Sequence, residues 1–253
     1  MMAGHPVLPA CLLVLSLTAA CAPHRVDTYL TTPDRTRLLS HEPDLRATAT
    51  AIAPATPTIE VDPGRAYQEM VGFGAALTDA SAWLMWHKLS PARRDSLLRD
   101  LFGPEPGAGF SFVRLDMGAS DFALRQYSYD DVPPGESDPT LSHFSIAPDT
   151  AETIPILKRA LEINPRLAIM ASPWSAPGWM KTTGSMIKGT LRPEAYDPYA
   201  EYFRRFIDAY AARGIPIYAI TVQNEPHYEP ADYPGMRLDP PARARFVGEH
   251  LGP

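Results

Sequence analysis

The chain has 253 residues, 45% of them hydrophobic and 21% charged, which is enough for one sizeable domain with its own core. A formal net charge of −6, with no basic run interleaved with aromatics, argues against a nucleic-acid surface. The 28 prolines punctuate the chain densely, so much of it is expected as loop.

Both cysteines, Cys11 and Cys21, fall in the first 21 residues. Ala10–Ala20 is apolar but too short to span a bilayer, and Thr18-Ala19-Ala20 places small residues directly before Cys21. This reads as an export signal over 1–21 of the bacterial lipoprotein type, although its start carries only His5 and the α-amino group. Cys21 would become a lipidated N-terminus and give a route to membrane attachment outside the cytoplasm. The mature domain would then hold no thiol pair and no disulfide. Residues 22–57 are polar, rich in Thr, Ala and Pro and without a sustained period; they read as a tether.

The patterned region starts at residue 58. Thr58–Val61 is a short strand candidate, and Tyr67–Phe73 reads as a strand ending in Gly72-Phe73-Gly74. Ser90-Pro91 gives an N-cap and a proline at the first helical position, and Gly103 closes that helix. Phe110–Leu115 is the next strand, followed by a long polar loop to Pro148. Asp149 or Thr150 caps a helix to about Ile163, and Leu167–Ala171 is a third strand. After the loop 172–192, Asp197 and Pro198 open a helix whose Tyr199, Phe203, Phe206, Ile207 and Tyr210 share one face, with Gly214 ending it. Ile217–Val222 is a fourth strand that breaks into Gln223-Asn224-Glu225-Pro226, and a last helix spans about Asp239–Leu251.

Strand and helix alternate four times, the pattern of a parallel sheet with right-handed crossovers. Four such units cannot close an eight-stranded barrel, which ordinarily needs about 250 residues; the sequence ends at Gly252-Pro253, where a fifth strand is due.

Long loops follow the strands' carboxyl ends, which places the working face there. Those loops offer Asp79; Arg114, Asp116 and Asp121; Trp174, Trp179 and Lys181; and Asn224, Glu225, His227 and Tyr228. Indole rings with a few carboxylates and amides suit a carbohydrate, since sugar C–H faces pack on aromatics while vicinal hydroxyls bond to Asp and Asn. The prolines and glycine of Ser-Pro-Trp-Ser-Ala-Pro-Gly-Trp favour an exposed platform for Trp174 and Trp179 over core packing. The histidines are scattered and no Cys-x-x-Cys occurs, so no metal site is indicated. Gly72-Phe73-Gly74 lacks the third glycine of a dinucleotide fingerprint, and no Gly-x-Ser-x-Gly elbow is present. No cofactor is implied.

Gly72–Ala80 (GFGAALTDA), Ser120-Asp121-Phe122, Ala171–Pro177 (ASPWSAP) and Thr221–Pro226 (TVQNEP) together resemble glycoside hydrolase family 30, most closely its glucosylceramidase branch. The similarity runs from about residue 58 to the last. It implies a (β/α)8 TIM barrel, here about its first four βα units, with a fragment of a β side domain. It also implies retaining hydrolysis of a β-glucoside or glycolipid. Glu225 matches the general acid/base and Asn224 the residue at the sugar 2-hydroxyl. Asp121 matches a binder of outer hydroxyls, Trp174 the wall of the glycone pocket, and Arg114 a supporting arginine. Such catalysis needs a second carboxylate about 5–5.5 Å from the acid. The family's nucleophile follows the seventh strand, and Asp116, Asp121, Glu194 and Glu229 match no nucleophile motif. The expectation is therefore half of a catalytic pair, inactive alone. The alternatives are another family 30 specificity, β-1,6-glucan or xylan, or a non-catalytic remnant.

Overall fold

A computed structural model describes residues 25–46 and 57–253. The export-signal reading and Cys21 lie outside the described residues. The chain divides into two units, Met1–Tyr67 and Gln68–Pro253.

The first unit departs from the tether expected over 22–57. Strands β1 (Arg25–Leu30) and β2 (Ser40–Arg46) form an antiparallel hairpin, with Arg25 opposite Arg46 and Leu30 opposite Ser40. The connection is built on Asp34, whose carboxylate accepts from the Thr36 amide and hydroxyl and from the Thr32 hydroxyl. Both strands are largely exposed, so neither carries the apolar alternation by which a half-buried strand is recognised. Thr58–Val61, expected as a strand, is irregular.

In the second unit four parallel strands lie in the order β3 (Gly74–Leu77), β4 (Phe112–Asp116), β5 (Ala168–Ser172) and β6 (Ala219–Ile220). Ala76, Arg114, Met170 and Ala219 stand in one row across the sheet. The first strand sits later than expected, at 74–77 rather than 67–73, because its partner is Phe112–Leu115 and the register begins at Gly74. A Cβ on Gly74 would sit 1.5 Å from the Phe112 carbonyl oxygen, so only glycine fits there.

Helix α1 (Asp79–His87) was not apparent in the sequence: DASAWLMWH is apolar around most of its circumference and shows no clear 3.6-residue stripe. Thr78 caps it by accepting from the Ser81 amide. Helix α2 (Pro91–Phe102) has the Ser90 cap, N-terminal proline and Gly103 stop read from the sequence. It joins α3 (Thr153–Ile163) through Arg159 and Asp95 at 2.7 Å. Helix α4 (Tyr196–Ala211) starts one residue before the expected cap, Asp197. Helix α5 (Pro240–Arg245) passes into a π-helical turn over Phe246–Leu251, where one long helix was expected.

The core is richest along α4, where Tyr199, Tyr202, Phe203, Phe206 and Tyr210 are fully buried. Each such side chain contributes about 1.5–3 kcal/mol of apolar burial. Phe246 of the last turn stacks on Tyr199, ring centres 5.2 Å apart. The loop after β4, read as polar, instead sends Tyr127, Tyr129, Leu141 and Ile146 into this core. Its polar organiser is the buried Asp149 carboxylate, which accepts hydroxyl bonds from Tyr127 (3.2 Å), Tyr129 (2.6 Å) and Tyr210 of α4 (2.6 Å). Burial still pushes its pKa up, to about 6, against those three donors.

Asp149→Ala would leave three buried hydroxyls without an acceptor, at about 1–3 kcal/mol for each group left unsatisfied. Tyr210→Phe removes one bond and leaves Asp149 two donors. Urea denaturation is expected to show Asp149→Ala as severely destabilised and Tyr210→Phe as milder by at least 1 kcal/mol, with the order reversed only if the hub is not structural.

Candidate functional site

The parallel register brings the carboxyl ends of β4, β5 and β6 side by side, and the site is assembled there. Beyond its two paired residues, β6 stays tied to the β5 side: the Thr221 amide donates to Ala171 O (2.9 Å) and the Asn224 amide to Pro173 O (2.8 Å). The Gln223 side chain donates through Nε2 to Trp174 O (2.7 Å). These bonds deliver Asn224 and Glu225 beside the β5 loop.

Arg114, on β4, draws three of the candidates together. Its guanidinium donates to Asn224 Oδ1 (2.8 Å) and lies over the Trp174 ring, 4.7 Å from the ring centre. Half-burial lowers its pKa, while Asp116, Asp121 and Glu225 act in the opposite sense and favour the cation. Trp174 is buried, only 8% exposed, and so is not the open platform its proline-rich loop suggested; packing beneath Arg114 explains the difference.

Asn224 Nδ2 reaches Glu225 Oε2 at 3.5 Å, and Glu225 itself is exposed. Its φ is +43°, the left-handed region that a non-glycine residue seldom occupies. The Tyr228 amide donates to Glu225 O and the Leu238 amide to Pro226 O, closing the loop that follows. Asp121 is exposed on the loop after β4.

Tyr233 belongs to this neighbourhood but stood out from no sequence pattern. Desolvation, then the fields of Tyr228, Glu225 and Asp121, raise its phenol above the usual range. Only the tertiary course of the 226–238 loop brings it there.

Other candidates are committed elsewhere. The Asp79 carboxylate accepts from the Leu124 amide (2.9 Å). Glu229 accepts from the Gly189 amide (2.9 Å), and His227 faces Arg243 (2.9 Å). The Trp179 indole N–H donates to Asp130, away from the Arg114 group. Lys181 is fully buried, with Nζ donating to Ser175 Oγ, Met186 O and Gly235 O at 2.7–2.8 Å. Desolvation lowers its pKa to about 7, with Glu229 opposing; three acceptors for three hydrogens favour the ammonium, which pins the β5 loop to the β6 loop. On the hairpin, Asp27, His41 and Asp44 bring ligand atoms within 4.8 Å of one another, but Arg25 pairs with both carboxylates, at 3.0 and 2.8 Å.

Asp116 is buried at the end of β4, accepting from Ser120 Oγ (2.8 Å) and, at 3.4 Å, from the Asp79 amide. Desolvation raises its pKa to about 7.

Similarity to known proteins bears on the fold and the family. The Glycosyl hydrolase family 30 TIM-barrel domain matches residues 70–252. The chain is 35% identical over 205 residues to the lysosomal acid glucosylceramidase of Mus musculus, covering 77% of this chain and 39% of that protein. It is 32% identical over 253 residues to an endo-1,6-beta-D-glucanase of Neurospora crassa, covering 97% of this chain and 52% of that one. The solved endo-beta1,6-glucanase BT3312 superposes with a TM-score of 0.74 at 34% identity, over 90% of this chain and 48% of its own. The chain thus spans about one third to one half of the length of the relatives it matches.

A carboxyl group whose folded pKa exceeds its unfolded value contributes stability below the unfolded pKa and loses it as pH rises through the folded one. For Asp116 that window runs from about pH 4 to about pH 7. Asp116→Asn is expected to flatten the thermal-unfolding profile between about pH 4 and 7; an unchanged slope would show that Asp116 ionises as freely as in the unfolded chain.

Proposed function

Because this chain belongs to glycosyl hydrolase family 30, we propose that it carries the acid/base half of a retaining β-glycosidase site. The observation that carries the reading is the convergence of Arg114, Trp174 and Asn224 next to Glu225 at the strand ends. In this scheme Glu225 gives its proton to the glycosidic oxygen as the bond to the anomeric carbon breaks. A partner carboxylate, not assigned to any residue of this sequence, takes up that carbon. Glu225, now ionised, then removes a proton from a water whose oxygen attacks the anomeric carbon and displaces the partner carboxylate, so that Glu225 regains its acid form.

Arg114 holds the Asn224 amide by its oxygen, so the amide's N–H groups are turned to Glu225 and to a sugar 2-hydroxyl. The cation keeps Trp174 flat as a wall for the glycone, and Asp121 supplies an acceptor for outer hydroxyls. Glu225 is pinned through its own carbonyl and by Asn224, which suits a group that must reach two different oxygens in turn.

We assign the substrate to β-glucosides, with a glycolipid of the glucosylceramide type as the first reading. A β-1,6-linked glucan is the second, favoured by the match of the Neurospora crassa glucanase over nearly the whole chain and by the superposition on a solved endo-β1,6-glucanase.

The 253-residue chain alone is expected to show no turnover of an aryl β-glucoside; robust hydrolysis abolished by Glu225→Gln would overturn the half-site reading. In a complete enzyme built on this chain, Glu225→Gln is expected to depress kcat/KM by at least 100-fold on substrates with poor leaving groups and much less on activated aryl glucosides. Equal losses on both would remove Glu225 from the acid role.

A further inference from the structure

Between the loop after β4 and the loop after β5 lies a cleft of about 660 Å³, within the roughly 300–1,000 Å³ span of small-molecule sites. None of the residues lining it belongs to the Arg114–Glu225 group. One wall carries Gln126, Asp131 and Glu136; the other carries Trp179, Ser185 and Arg192.

Both walls are held firmly. The Trp179 indole nitrogen donates to Asp130 O (3.1 Å) and Oδ2 (2.9 Å), so the half-buried ring has one fixed orientation. Beneath it, a Cβ on Gly178 would approach Gly184 O at 3.1 Å and Ser185 Cα at 3.2 Å, so the turn is close-packed. Arg192 is tethered through Nε to Lys181 O (2.8 Å), and Gln126 reaches Asp232 O at 3.4 Å. Glu136 is exposed, and its carboxylate has no hydrogen-bond or ion-pair partner among the described residues.

We propose that this cleft is a second carbohydrate-binding site, separate from the glycone pocket and taking a segment of a β-linked glucan chain. A pyranose C–H face would lie on Trp179, with its hydroxyls shared among Gln126, Glu136 and Arg192. Two carboxylates against one arginine disfavour a phosphate, and the polar side chains disfavour an acyl chain. The occupant's identity rests on the β-glycoside reading above.

The test is calorimetric titration of the 253-residue chain with two probes, a β-1,6-linked glucotetraose and the glucose-ring mimic 1-deoxynojirimycin. Trp179→Ala is expected to weaken tetraose binding at least 10-fold, and Glu136→Ala severalfold, with 1-deoxynojirimycin unaffected by either. Glu136 is exposed, so its substitution keeps the test open if Trp179→Ala fails to fold. Wild-type tetraose affinity in both variants overturns the proposal, as does loss of all tetraose binding on Trp174→Ala with Glu225→Gln. Tetraose binding that depends on Trp179 without any 1-deoxynojirimycin binding would instead sink the glycone-pocket reading and leave the cleft standing.

Discussion

The site depends on one cation. Arg114 sits in the middle of the sheet, in register with Ala76 and Met170, and its guanidinium reaches the next two strand ends on one side: Trp174 after β5 and Asn224 after β6. A planar fork with fixed donors can stack and hydrogen-bond at once, which a lysine at this position could not do. Without it, the Trp174 face and the Asn224 amide would lose their common reference, and Asp116, Asp121 and Glu225 would lose a nearby positive charge. The chemistry proposed for Glu225 follows from this geometry, because only an amide held by its oxygen offers its hydrogens to a substrate.

Around that cation the chain uses buried polar hubs where many folds use only apolar contacts. Asp149 gathers three tyrosine hydroxyls, Lys181 gathers three acceptors, and Asp116 is held by Ser120 and the Asp79 amide. Each fastens a long loop to a regular element or to another loop. The loops on this face therefore behave as walls, and side chains as far apart in sequence as Arg114 and Asn224 can keep a hydrogen-bond distance.

Much of the second unit was legible from sequence because its signals are local. The Ser90-Pro91 start, the aromatic stripe of α4 and the apolar runs before Asp116, Ser172 and Gln223 need only short-range periodicity and capping chemistry to be read. The misses have physical causes too. Helix α1 is apolar around much of its surface, and the hairpin at 25–46 is exposed on both faces, so neither shows an alternating pattern. The first strand was misplaced because Gly74 is selected by contact with Phe112, a partner far along the chain. At the site, the strand-end motif pointed to Glu225 and Asn224, and Arg114 joined them in space. Trp179 and Lys181 lay in the same loop as Trp174 but are turned to Asp130 and into the interior, a distinction no spacing rule contains. Tyr233 is the converse case: nothing in its sequence neighbourhood marks it, and it comes under the charge of Glu225 only because the loop from Pro226 to Leu238 closes on itself.

The backbone of Glu225, at φ +43°, sets stability against chemistry at a single position. Glycine would occupy that conformation freely, and asparagine tolerates it better than glutamate does. Selection for thermal robustness alone would thus drift toward residues that cannot transfer a proton. A consensus or ancestral redesign of this scaffold that scored only folding would be drawn to erase the residue on which turnover is proposed to depend.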